Sequence, residues 1–247
     1  MQRRILSLVL ALVLALGIGF PAVAGNFSYT SGPAKMRIDV ITPEGTPAKA
    51  LVLVLHTSGG HKQADDDYAR KLVAQGYATA VPHFLAAYGI EPKQRRRTWT
   101  QFRGTLLTDF RRIADEVASR TGIPRPRVYA VGFSNGGYWA AYLAGKGIVA
   151  KGISYYGAVT EAGTDRVLDN ISAALAVPGG AVLFLHGTED ETVGVGAIRR
   201  LQRKVGAARA TFVYYEGAGH GFERDSSTAN DKAAADAWRR TLEFFGR

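Results

Sequence analysis

The sequence predicts an α/β domain with a mostly parallel central sheet and helices on both faces. Three observations predict it. Short apolar runs rich in β-branched residues alternate with helix-length segments along the 247-residue chain. Leu51–Leu55 is continuously aliphatic, as expected of a strand buried on both faces. Residues of reactive type fall directly after such runs, where the strand ends of an open α/β sheet gather ligands.

The elements follow in order. Arg3 and Arg4, the apolar stretch Ile5 to Phe20 and the small residues of Ala22-Val23-Ala24 form a secretory leader, with mature protein expected from Gly25. Residues 1–24 are therefore set aside, and 25–247 is expected to fold as one domain. Pro21 and the shortness of the stretch argue against a retained membrane anchor. Met36–Ile41 alternates and reads as an edge strand, and Thr42-Pro43-Glu44-Gly45 as a turn. After Leu51–Leu55, Tyr68–Gln75 lies in a helix that stops at Gly76. Ala78–Val81 is a strand ended by Pro82. Leu106–Ser119 is a helix with Leu106, Phe110, Ile113 and Val117 on one face. Strands then fall at Val128–Gly132, Gly152–Tyr156, Val182–His186 and Thr211–Tyr215. Gly136–Leu143, Val195–Val205 and Ala233–Phe245 read as helices. Strand-helix alternation implies crossover connections and hence parallel pairing.

Composition narrows the function classes. The chain has no cysteine. That excludes disulfides, a cysteine nucleophile and thiolate metal ligands. The formal charge is +10, of which Arg3 and Arg4 leave with the leader. A basic surface favours anionic partners, but no nucleic-acid motif accompanies it. No metal or organic cofactor is implied. The partner expected is a small molecule, with no stable membrane insertion once the leader is cleaved.

The strand Val128-Tyr129-Ala130-Val131 runs into Gly132-Phe133-Ser134-Asn135-Gly136-Gly137, a G-x-S-x-G between strand and helix. A sharp turn with a serine at its apex needs glycines two residues before and after it, where a Cβ would meet neighbouring backbone. The helix N-terminus behind the serine supplies free N–H groups for a developing oxyanion. A serine hydroxyl also needs a base, and the base an acid. His220 follows the last strand in a glycine-rich loop and is the expected base. Asp190 follows Val182–His186 and is the expected acid, with Glu189 or Glu191 as fallback and Asp169 a weaker alternative. The oxyanion donors expected are the N–H of Asn135 and that of Ser58, with Thr57 second. His56 and His186 end aliphatic strands and suit structural roles. His61 and His83 lie in loops on the same side of the sheet, where they could contact substrate.

Segment 83–103 is the expected rim or lid. Within it His83, Phe84, Tyr88 and Trp99 are candidate substrate contacts, with Thr57 and Tyr138 from elsewhere. Arg95, Arg96 and Arg97 could hold a substrate carboxylate, because a guanidinium matches its geometry.

These residues resemble the dienelactone hydrolase family. The resemblance rests on Val131-Gly132-Phe133-Ser134-Asn135-Gly136-Gly137-Tyr138-Trp139, on His186-Gly187 with Asp190, on Gly217-Ala218-Gly219-His220-Gly221-Phe222, and on the terminal helix. It implies an α/β-hydrolase fold and a Ser134, Asp190, His220 triad. Two positions differ from the family's namesakes, which carry a cysteine nucleophile and a first-loop glutamate. Ser134 and about Thr57 stand there instead. The implied activity is therefore that of an exported serine carboxylesterase, periplasmic or secreted, working through an acyl-enzyme. Dienelactone-type lactone hydrolysis, acyl transfer or peptidase action on the same triad are alternatives, as is non-catalytic binding of anionic polymers.

Overall fold

The computed structural model describes residues 25–159, 166–206 and 208–247. The expected leader, 1–24, lies outside them. Among the described residues, eight strands form one sheet: β1 (Phe27–Ser31), β2 (Met36–Ile41), β3 (Leu51–Leu55), β4 (Ala78–Pro82), β5 (Val128–Phe133), β6 (Lys151–Tyr155), β7 (Ala181–Gly187) and β8 (Ala210–Tyr215). Their order across the sheet is β1-β2-β4-β3-β5-β6-β7-β8. The first two pairings, β1 with β2 and β2 with β4, are antiparallel. All others are parallel.

Met36–Ile41 is therefore not the edge strand expected. β1 covers it, pairing Phe27 with Val40 through Ser31 with Met36. The sequence hid β1 because Phe-Ser-Tyr-Thr-Ser carries only two apolar side chains.

Among the described residues, seven α-helices flank the sheet: α1 (Gln63–Val73), α2 (Phe84–Ala87), α3 (Arg103–Thr121), α4 (Asn135–Gly145), α5 (Arg166–Leu175), α6 (Val195–Val205) and α7 (Thr228–Gly246). A 3-10 helix, Pro92–Thr98, joins α2 to α3. Side-chain alternation along the strands builds two cores. Leu51, Leu53 and Leu55 face one that includes residues of α2 to α6. Val52 and Val54 face the other, with Tyr68 and Leu72 of α1 and Ala237 and Phe245 of α7. The expected faces hold: Leu106, Phe110, Ile113 and Val117 are fully buried on α3. Trp238, Leu242 and Phe245 pack inward from α7.

Helix boundaries have local causes. α3 ends where Gly122 takes a left-handed backbone, φ 68°. α7 begins where the Ser227 hydroxyl accepts the N–H of Asn230 at 3.1 Å. Every residue of α4 is buried, so this helix lies inside the molecule rather than on it. Full burial of each of its large side chains, Tyr138, Trp139 and Leu143, contributes about 1.5–3 kcal/mol. The core thus anchors the helix that Ser134 caps. The loops after β3, β5, β7 and β8 share the carboxyl edge of the parallel strands.

Candidate active site

Ser134 sits at the strand-to-helix turn between β5 and α4 with φ 52° and ψ −110°. A non-glycine residue there is strained, by about 1–3 kcal/mol. The surrounding backbone holds it in place. Ser134 N–H donates to Tyr155 C=O at 3.0 Å, and Ser134 C=O accepts from Tyr138 and Ala158. The flanking glycines are sterically required. A Cβ on Gly132 would lie 2.0 Å from Gly136 O, and one on Gly136 2.0 Å from Leu55 O. Packing this tight lets the serine stand clear of the sheet.

The Ser134 Oγ lies 3.1 Å from Nε2 of His220. The other ring nitrogen, Nδ1, lies 2.8 Å from Oδ2 of Asp190. Asp190 is buried and its second oxygen is occupied. Oδ1 accepts the N–H groups of Thr192 and Val193 at 2.9 and 2.7 Å. The carboxylate is thus fixed, and the ring it faces donates Nδ1–H to it. That leaves the Nε2 lone pair on the serine side. Glu189 and Glu191 are exposed on the same loop. Asp169 lies on α5 and pairs with Lys204 at 2.7 Å.

His186 comes within 3.5 Å of Asp190 but gives its Nε2–H to Val193 C=O at 2.7 Å. Burial lowers its pKa, so it stays neutral beside the carboxylate. His56 is fully buried, stacks on Phe84 at 4.0 Å and donates Nδ1–H to Thr57 C=O at 2.9 Å. Burial depresses its pKa from 6.5 to about 3.

As first residue of α4, Asn135 carries one of the four N–H groups that a helix cannot satisfy internally. Its side chain is turned away, donating to Thr98 Oγ1 at 3.1 Å. Ser58 lies in the turn after β3, where Gly60 N–H returns to Thr57 C=O at 3.2 Å. The Thr57 hydroxyl accepts the Gly59 N–H at 3.1 Å, which shapes this turn.

A cleft of about 540 Å³ opens over the serine. Its walls include Thr57, Ser58, Ser134, Tyr156, Thr192 and His220, with Pro92, Lys93 and Arg95 from the rim and Arg224 opposite. The rim segment thus reaches the cleft, though through its 3-10 helix and not its aromatics. Phe84 and Tyr138 are fully buried, and Trp99 nearly so. Phe84 stacks on His56 and meets Phe110 edge-on, and Trp99 packs on Tyr138 at 5.9 Å. Tyr88 donates its hydroxyl to Asp109 and packs, tilted, on Phe102. His83 pairs with Asp39 at 2.7 Å. None of these five lines the cleft. The apolar surface of Phe84, Trp99 and Tyr138 is worth more in the core than at a wet rim. Of the three arginines, Arg95 alone lines the cleft. Arg97 is bound to Gln94 and Gln101.

Two cleft residues carry no motif in the sequence. Tyr156 has a left-handed backbone, φ 37°, and its ring meets His220 edge-on at 4.7 Å. Its hydroxyl donates to Glu223. Arg224 binds buried Asp65 at 2.8 Å and Glu223 at 2.7 Å. Burial raises the Glu223 carboxyl above its ordinary range, against the pull of Tyr156 and Arg224. This network ties the His220 loop to β6 and to the start of α1. The signal that could have found it is the charged pair Glu223-Arg224 placed directly after the histidine loop.

Known proteins share this architecture. The carboxymethylenebutenolidase of Pseudomonas putida is 28% identical over 216 residues, 81% of this chain and 88% of its own. A proposed dienelactone hydrolase from Klebsiella pneumoniae superposes with a TM-score of 0.73 at 22% identity, covering 91% of this chain and 98% of that one. The propionate-bound thermophilic esterase of Thermogutta terrifontis gives 0.65 at 16% identity, covering 89% and 94%. Likeness at that identity shows the shared fold. The model of the dienelactone hydrolase family matches residues 36–247, and the chain belongs to that family.

Proposed function

We propose that the protein is an exported serine hydrolase that cleaves carboxylic esters, lactones among them, through an acyl-enzyme on Ser134. The observation that carries this reading is the line of contacts from Ser134 Oγ through both nitrogens of His220 to buried Asp190. Esters and lactones fit the names borne by the Pseudomonas relative and the Thermogutta neighbour.

The reaction follows from the positions. Ser134 Oγ attacks the carbonyl carbon as His220 Nε2 takes its proton. The N–H groups of Asn135 and Ser58 hold the resulting oxyanion. His220 returns the proton to the leaving alcohol, and the acyl-enzyme forms. Water then attacks along the same path, releasing the acid and restoring Ser134. Asp190 keeps the imidazole in one tautomer and stabilises its cation.

The cleft also suggests which carbonyl. Lys93 and Arg95 line it from the exposed rim, so esters bearing a carboxylate are favoured over neutral ones; Arg224 is already paired with Asp65 and Glu223, and Asp225 also lines the cleft. Export is part of the proposal and rests on Arg3, Arg4 and the stretch to Ala24. N-terminal sequencing of protein recovered outside the cytoplasm should read from Gly25.

The test is a panel of aliphatic esters, aromatic acid esters and lactones, read by product analysis. A slowly deacylating ester should leave an acyl adduct that peptide mapping assigns to Ser134. Turnover with an adduct elsewhere would contradict the reading. Transfer of the acyl group to added alcohol, or cleavage of amides in preference to esters, would replace it with the acyltransferase or peptidase alternative.

A further inference from the structure

We propose that Asp39, His61 and His83, braced by Asp66, form a binding site for one divalent cation of the zinc class. The site is separate from the Ser134 cleft, and the inference does not depend on the hydrolytic reading.

Three elements bring these residues together. In β2, alternation buries Met36, Ile38 and Val40 and leaves Arg37 and Asp39 on the other face. His83 follows the last residue of β4, and its N–H donates to Arg37 C=O at 2.9 Å, which sets it beside β2. His61 lies in the loop between β3 and α1. Its ring stacks on that of His83 with centroids 4.1 Å apart. One ligand atom from each of Asp39, His61 and His83 lies within 4.8 Å of the other two.

That spacing is close to a metal site. Tetrahedral zinc with bonds near 2.0–2.1 Å holds its ligand atoms about 3.4 Å apart. Small side-chain adjustments suffice. Two imidazoles and a carboxylate are a donor set that zinc accepts, with a fourth position left for water. The side chains of His61, His83 and Asp39 are 24%, 17% and 22% exposed, enough to admit an ion.

The chemistry of each group agrees. Asp39 accepts from Ser28 through Oδ1 and from Arg37 Nε through both oxygens, at 2.9 and 3.2 Å, and its Oδ2 also faces His83 at 2.7 Å. His61 Nε2 lies 2.8 Å from Asp66 Oδ1. A carboxylate on one ring nitrogen fixes the tautomer and makes the other nitrogen the better ligand. Two stacked rings stand between two carboxylates. A single divalent ion satisfies all four groups at once.

The ion would clasp the loop that bears Ser58 to strands β2 and β4. A chain without cysteine has no disulfide to do this.

The experiment uses the mature protein, stripped with chelator and titrated with ZnCl₂ by calorimetry, with thermal unfolding followed in parallel. One saturable ion per chain and a raised Tm are expected. His83→Gln should abolish that binding. Asp66→Asn should weaken it by about tenfold or more. His220→Gln should leave it intact, which separates this site from Ser134 and its partners. Failure of wild type to bind a stoichiometric ion, or binding lost only in His220→Gln, would overturn the proposal. A readout on wild type guards against a variant that does not fold. Zinc should protect His61 and His83 from diethyl pyrocarbonate, and equal modification with and without zinc would also overturn it.

Discussion

Acid stability should depend on His56, a residue that no step of the chemistry uses. Its ring is fully buried between β3 and α2, and its Nε2 has no partner among the described residues. Burial places its pKa at about 3, against 6.5 for the free side chain. The sign follows from linkage. A folded pKa below the unfolded one means that the unfolded chain takes up the proton first. The associated stability is fully present above pH 6.5 and is lost as pH falls toward 3. At 1.36 kcal/mol per pH unit the whole loss is about 5 kcal/mol, and about 2.5 kcal/mol of it falls between pH 7 and 4.5. His56→Phe keeps the stack on Phe84 and removes the titration. It also removes the hydrogen bond to Thr57 C=O, at about 1 kcal/mol independent of pH. Urea unfolding of both proteins at pH 7 and 4.5 isolates the effect, because the other titrating groups are common to both. Wild type should lose about 2.5 kcal/mol more than the variant. Equal losses would refute the assignment of a neutral, desolvated His56.

Three further substitutions probe the site. Asp190→Asn keeps an oxygen for the Thr192 and Val193 N–H groups but turns an amide N–H toward His220 Nδ1. The imidazole must then hold its proton on Nε2, and kcat should fall by about 10⁴ with KM little changed, measured on a p-nitrophenyl ester. Ser58→Ala keeps the backbone N–H and removes only a hydroxyl. Steady-state kinetics should show kcat within a few-fold of wild type, whereas a large loss would mean that the side chain itself takes part. Arg95→Ala removes a cleft cation. It should raise KM for an ester bearing a carboxylate and leave the matching neutral ester unchanged, when the two are compared in one assay.

The sheet was legible because its central strands are runs of one character. Leu51–Leu55 and Val128–Phe133 are buried on both faces, so they carry no polar alternation to mislead. β1 was missed because its alternate residues are polar and its burial comes from β2. α5 was missed although Val167, Leu168, Ile171 and Leu175 have helical spacing, because ten residues give a short pattern. Ser134, Asp190 and His220 were legible for a topological reason: each follows a strand at the same edge of the sheet. The aromatic rim was misread for a physical one. Sequence places Phe84, Trp99 and Tyr138 near the cleft but does not say which way a ring points, and burial turned them inward. Asp39 and His83 lie 44 positions apart, and only the antiparallel pairing of β2 with β4 makes them neighbours.

The central claim is that Ser134 is the nucleophile, activated by His220. Labelling with a fluorophosphonate probe tests it most directly, with wild type and Ser134→Ala compared at equal concentration and equal Tm. Wild type should take up one probe per chain, mapped to Ser134, and lose ester turnover in step. The variant should neither label nor turn over. Retained hydrolysis by folded Ser134→Ala, or probe found on another residue, would contradict the account.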